Sequence, residues 1–254
     1  MGEKKPIETP ESKGKHEKSP NFLDSLKIDE GIGKIREKLN ELKVLDTLDS
    51  IFLWSSTPGL QMALKLMFQF DVKGKDNFPK KGEAAVIVMN HQTPLDPLLL
   101  NLGVNQQVKW FIPKKNLNIP IVRSIVPLYG LIIMDDNMGE MEAAGQIIQM
   151  LKEGQSVGLF PEGKASEDGR LNKFHRFPVR FCLELKVPYV PVAIIGGVDA
   201  FPPKSKPWEA KIGKKIEIRI GKPVKLDPSI KSNPENALKI AEQMQREVQA
   251  LLDQ

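Results

Sequence analysis

Apolar and polar positions fall in blocks along this chain, and each block has its own period. Residues 1 to about 20 are Lys, Glu, Pro and Ser with almost nothing to bury, a composition that predicts a disordered tail. From Phe22 to Phe70 the pattern turns helical. Ile28, Ile32, Ile35, Leu39, Leu42 and Leu45 recur at threes and fours, one stripe of an amphipathic helix whose start Gly31 and Gly33 weaken. Thr57-Pro58 then marks a break and a fresh start. Thr57 is the expected N-cap and Pro58 the first residue of a helix running to about Phe70.

Beyond Phe70 the period switches between two and 3.6. Short apolar runs predict strands at Ala84 to Met89, Gln107 to Ile112, Leu131 to Met134, Ser156 to Phe160, Tyr189 to Ile195 and Lys215 to Ile220. Helices are expected at Pro97 to Leu102, Ile119 to Pro127, Met138 to Glu153 and Phe174 to Lys186. A last helix starts at Pro234, capped by Asn233, with Leu238, Ala241, Met244, Val248 and Leu251 on one face. Strands and helices taking turns predict an α/β fold, a sheet covered by helices and preceded by amphipathic N-terminal helices. The organisation expected is a tail over 1–20, amphipathic helices over 21–70 with possible membrane contact, and an α/β domain over 71–254.

Composition narrows the function. A hydrophobic fraction of 41% in 254 residues is enough for a sizeable core. One cysteine, Cys182, excludes an intramolecular disulfide and a multi-cysteine zinc site. The N-terminal stretch has no apolar core of signal-peptide type, and no run reaches the roughly 18 apolar residues of a spanning helix. The expectation is a cytoplasmic protein, peripheral on a membrane. A net charge of +5 favours anionic partners. Nucleic acid is not expected among them, since no recognition motif is present and aromatic content is only 6%.

Candidate chemistry sits where the apolar runs are interrupted. In "VIVMNHQTPLDPLLL", Val86 to Leu100, a polar turn holding Asn90, His91 and Asp96 joins a strand to a helix. Pro97 suits a first helical turn, which puts Asp96 at the expected N-cap, a position worth about 1 kcal/mol. A His–Asp offset of five is wrong for one helix face and right for two ends of a turn that folds back. Asp96 could then bond the imidazole, fix its tautomer and leave the other ring nitrogen as a base. The bland alternative is a loop histidine beside a simple cap. No protein nucleophile accompanies the pair, so a substrate hydroxyl would serve. The second interruption, Val157 to Arg176, turns sharply at Pro161-Glu162-Gly163 and carries Lys164, Arg170, Lys173, His175 and Arg176. Strand C-terminal ends are where open α/β sheets bind ligands.

Together the segments resemble the glycerolipid acyltransferase family, typified by 1-acylglycerol-3-phosphate acyltransferases. The first family block, Asn-His, four residues, Asp, is here Asn90 to Asp96; Phe-Pro-Glu-Gly is Phe160 to Gly163, about seventy residues on. "PKKNLNIPIVRSIVPLYGLIIMDD" is similar to the family's lysine pair, helix and following strand block. "VPYVPVAIIGG", with Pro191, and "IEIRIGKPV" resemble the later blocks. The resemblance spans roughly Leu60 to Val224.

The resemblance implies an O-acyltransferase. It would move a fatty acyl group from acyl-CoA or an acyl-carrier protein, as co-substrate, to a hydroxyl of a lysophospholipid, 1-acyl-sn-glycerol-3-phosphate first. It implies His91 as general base and Asp96 as its orienting partner. Glu162 and Gly163 would contact the acceptor, and Lys114, Lys115 and Lys164 its anionic groups. It implies no metal and no resident cofactor, and a membrane surface reached through the N-terminal helices. Two positions depart from the family pattern: Asp136 and Ala165 stand where arginines are usual. A non-catalytic lipid-binding relative, or a thioester or lipid hydrolase using the same His–Asp pair, would fit the same residues.

Overall fold

The computed structural model describes residues 57–113, 130–134, 139–203, 205 and 209–254. The tail, the first amphipathic helix, the helix expected at Ile119 to Pro127, and Lys114, Lys115, Arg123 and Asp136 lie outside the described residues. A helix, α1, occupies 57–68. Thr57 is already helical within it, so it is not the N-cap expected.

Among the described residues seven strands form one sheet. They are β1 (Asp71–Lys73), β2 (Val86–Met89), β3 (Lys109–Pro113), β4 (Leu131–Met134), β5 (Val157–Leu159), β6 (Tyr189–Ile195) and β7 (Glu217–Ile220). Their order is β1-β7-β6-β2-β5-β3-β4. Every neighbouring pair is parallel except β6 with β7, so the sheet is mixed. Among the described residues the helices between strands are α2 (Asp96–Val104), α3 (Glu140–Lys152), α4 (Phe177–Leu185) and the short α5 (Gly197–Ala200), and α6 (Pro234–Leu252) follows β7.

The central strand β2 is buried on both faces, and its pleat divides two cores. Ile87 and Met89 face one core with Phe68, Leu99, Leu100 and Leu102, the side of α1 and α2. Val86 and Val88 face the other with Ala144, Ile147, Val179, Phe181, Met244 and Val248 from α3, α4 and α6. A parallel strand covered on both faces needs the unbroken apolar run that this sequence supplies. Phe68 and Phe70, at the end of the segment over 21–70 for which membrane contact was expected as possible, are buried in the first core. Leu60, Met62, Leu66 and Met67 of α1 are the exposed apolar positions.

The last helix forms as its sequence signals require. Asn233 has extended backbone, its side chain accepts the Asn236 N–H at 2.8 Å, and Pro234 fills the first turn. α4 begins three residues later than expected. Phe174 remains in the preceding loop, where its N–H donates to Gln245 Oε1 at 3.1 Å, and Pro178 sits in the first helical turn. Among the described residues no helix is long and apolar enough to cross a membrane.

Candidate active site

The parallel strands β2 and β5 end side by side, and the two polar interruptions leave the sheet there. Asn90 extends the β2–β6 pairing by one step through its side chain. Its Nδ2 donates to the Ile194 carbonyl at 2.9 Å and its Oδ1 accepts the Ile194 N–H at 2.7 Å. An amide that satisfies both groups of one residue fixes where the strand stops and the loop begins.

His91 follows. Its Nδ1 lies 2.9 Å from Asp96 Oδ2. The same oxygen accepts the Gln92 N–H at 2.6 Å and the Thr93 N–H at 2.9 Å, while Oδ1 accepts the Thr93 hydroxyl at 2.8 Å. Four donors converge on one buried carboxyl group, so Asp96 acts as an acceptor throughout. The imidazole Nδ1 therefore carries a hydrogen, and in the neutral ring the lone pair is on Nε2.

The expectation that Asp96 caps the helix is corrected. Asp96 is the first residue of α2, Leu95 occupies the N-cap, and no side chain caps it. The carboxylate turns back to the loop N–H groups ahead of the helix. Thr93 completes the turn: its Oγ1 accepts the Leu95 N–H at 3.1 Å and its carbonyl accepts the Asp96 N–H at 3.1 Å.

Glu162 braces this loop from β5. It is buried, its Oε1 accepts the His91 N–H at 2.7 Å, and its Oε2 accepts both the N–H and the Nδ2 of Asn172 at 2.8 Å. Both oxygens thus accept hydrogen bonds within the protein, which ties the Glu162 turn to the His91 loop. Gly163 closes the turn with φ of 72°, a left-handed conformation that favours glycine, and its N–H donates to the Phe160 carbonyl at 3.1 Å. The His91 carbonyl accepts the Ser166 N–H at 2.8 Å, joining the loops a second time. Lys164 is exposed on the same turn, and the His175 ring lies against Gly163.

Asn90, Gln92 and Thr93 were missed in the sequence as contributors. Asn90 was quoted without a role. Gln92 is buried, its Oε1 accepts the Gly197 N–H at 2.7 Å, and its Nε2 reaches the Gly169 carbonyl at 3.4 Å. The available signal was a run of four polar residues, Asn90 to Thr93, directly after a buried strand, each of which must find partners. A cleft of about 430 Å³ borders Gln92, Arg170, Leu171 and Ile195; His91 and Glu162 are not in its lining. Among the described residues no group of three His, Cys, Asp or Glu is placed to hold a metal ion. Cys182 is buried in the α4 core, and burial pushes its thiol up to about 12.

The end of a buried parallel strand pair on an α/β sheet thus presents a histidine whose Nδ1 is held by a buried aspartate. The Acyltransferase family profile matches residues 69–195, from the end of α1 through β6, and the chain belongs to that family. A 1-acyl-sn-glycerol-3-phosphate acyltransferase of Brassica napus is 28% identical over 156 residues, covering 61% of this chain and 44% of the relative. One from Arabidopsis thaliana is 30% identical over 158 residues, 61% and 42% of the two chains. This chain thus spans less than half the length of these plant relatives. The crystal structure of a 1-acyl-sn-glycerophosphate acyltransferase from Thermotoga maritima shares the fold. Its TM-score is 0.61 at 24% identity, covering 92% of this chain and 87% of that one.

Proposed function

We propose that this protein transfers a fatty acyl group from a thioester, acyl-CoA or acyl-carrier protein, to the free hydroxyl of a lysophospholipid, with 1-acyl-sn-glycerol-3-phosphate the leading acceptor. The observation that carries the reading is the His91–Asp96 pair, with Nδ1 tied to the carboxylate and Nε2 left as a base. The names of the relatives support the acceptor class.

His91 Nε2 takes the acceptor hydroxyl proton as the oxygen attacks the thioester carbonyl. The carbonyl electrons collapse back, the C–S bond breaks, and the imidazolium returns the proton to the departing thiolate. Asp96 holds the ring and stabilises its positive charge between the two transfers. A positioned general base contributes roughly 10²–10⁴ in rate. Glu162 serves by fixing the His91 backbone, while Lys164 offers charge to an anionic head group. The exposed Leu60, Met62 and Leu66 of α1 support contact with a lipid surface, where such acceptors reside.

The test is a panel of lysolipid acceptors offered with one radiolabelled acyl-CoA. Label in the diacyl product, fastest with 1-acyl-sn-glycerol-3-phosphate, is the expected result. Thiol release at the same rate without acceptor would indicate a hydrolase, and no turnover with any acyl thioester a lipid-binding protein.

A further inference from the structure

The Asp96 bond fixes one edge of the imidazole but leaves the ring free to rock about it. A second restraint lies across its face. The His91 ring stacks on Phe160, centroids 3.9 Å apart and planes 16° from parallel, and Phe160 stacks in turn on Trp110 at 4.7 Å and 27°. Phe160 is the first residue of the Phe-Pro-Glu-Gly turn. Trp110 lies on β3, almost wholly buried.

The far end of this column is anchored twice. Trp110 pairs in register with Gly158 of β5, and a Cβ on Gly158 would come within 2.5 Å of three indole atoms, so the indole lies flat against bare backbone. Trp110 Nε1 donates to Asn101 Oδ1 at 3.3 Å. Asn101 belongs to α2, the helix that begins at Asp96, and its Nδ2 also donates to the Val108 carbonyl at 3.0 Å. The contacts close a circuit: His91 to Asp96, along α2 to Asn101, across to Trp110, and back through Phe160 to His91.

We propose that Phe160 and Trp110 are positioning residues for acyl transfer, holding the His91 ring plane so that Nε2 keeps its line to the acceptor hydroxyl. This rests on His91 as the general base. Side chains of the same bulk without a flat face would fill the space and leave the ring able to rock. Offset stacking of aromatic rings supplies the orientation that simple burial does not. Gly158 belongs to the device because any larger residue displaces the indole.

The chain has three histidines, His16, His91 and His175, which makes the test direct by proton NMR. In the folded wild type the His91 ring protons, assigned by their loss in His91→Ala, are expected upfield of the other two, shifted by the Phe160 ring current. Phe160→Leu is expected to lower kcat about tenfold through lost orientation, with KM for both substrates unchanged and the His91 resonances moved downfield. Phe160→Tyr, which keeps the ring, restores both. Unshifted His91 protons in the wild type overturn the proposal without any variant. So does Phe160→Leu with wild-type kcat, or Phe160→Tyr as impaired as Phe160→Leu. His91→Ala separates the layers: if it is inactive while Phe160→Leu turns over normally, positioning fails and the base stands; if it is active, both fail.

Discussion

Asp96 receives four hydrogen bonds, and two substitutions separate its duties. Asp96→Asn keeps the shape but offers one oxygen and one NH2 group, so the imidazole loses its charged partner. Turnover is expected to fall by roughly 10²-fold or more, within the range a general base supplies. Asp96→Ala additionally strands buried loop donors. At about 1–3 kcal/mol for an unsatisfied buried group, a loss of about 3 kcal/mol is expected, well above the value for a simple helix cap. Urea unfolding of the two variants measures the difference; equal stability would show that the loop does not depend on the carboxylate. Cys182 gives a second check at this scale. Its thiol is buried and pushed up to about 12, so it should not react with a disulfide reagent at pH 8 in the native protein, and one equivalent should react after denaturation. Rapid native labelling would contradict the packing of α4.

Elements differ in how plainly the sequence announces them, and burial is the reason. β4 and β6 match the expected bounds because continuous apolar runs leave little choice of edge. β1, Asp71–Lys73, was not anticipated: three mostly exposed residues with charged ends carry no periodic signal, and only pairing with β7 makes them a strand. The reversal of β7 against β6 is likewise a product of tertiary pairing. At the site, the His91–Asp96 bond was legible because the turn length and residue types permit it and the family resemblance selects it. The bracing role of Glu162 was not legible because its partners, His91 and Asn172, are distant in sequence or bonded through backbone. The edge of the sheet also carries its own prediction. Buried Glu217 on β7 is held down to about 2 by Lys215, then Lys73 and Arg219, against the opposing effect of burial. A depressed carboxylate contributes stability fully present above its ordinary value of 4.5 and lost as pH falls through that value toward 2. The contribution is at most about 3 kcal/mol at 1.36 kcal/mol per pK step, and less because both lysines are more than half exposed and screened. Unfolding free energy should therefore drop between pH 4.5 and 2, and Glu217→Gln should flatten that drop while lowering stability at pH 7. An unchanged acid profile in Glu217→Gln would remove the cluster from the account.

At the scale of the whole molecule, the sheet serves to bring two distant loops to one place. β2 and β5 are neighbours with parallel register, so Asn90–Asp96 and Phe160–Gly163 emerge at the same, C-terminal, end of the strands although about seventy residues separate them. The α2 core on one face and the α3, α4 and α6 core on the other hold those strands in register. The measurement that bears most directly on this arrangement is acyl transfer to 1-acyl-sn-glycerol-3-phosphate by wild type and His91→Ala, run beside their melting temperatures. The expected result is transfer by the wild type, a loss of roughly 10²–10⁴-fold in kcat for His91→Ala, and a cooperative melting transition for both proteins, at a lower temperature for His91→Ala because the ring stacks on Phe160 and bonds Asp96. A well-folded His91→Ala protein that transfers acyl groups at the wild-type rate would contradict it.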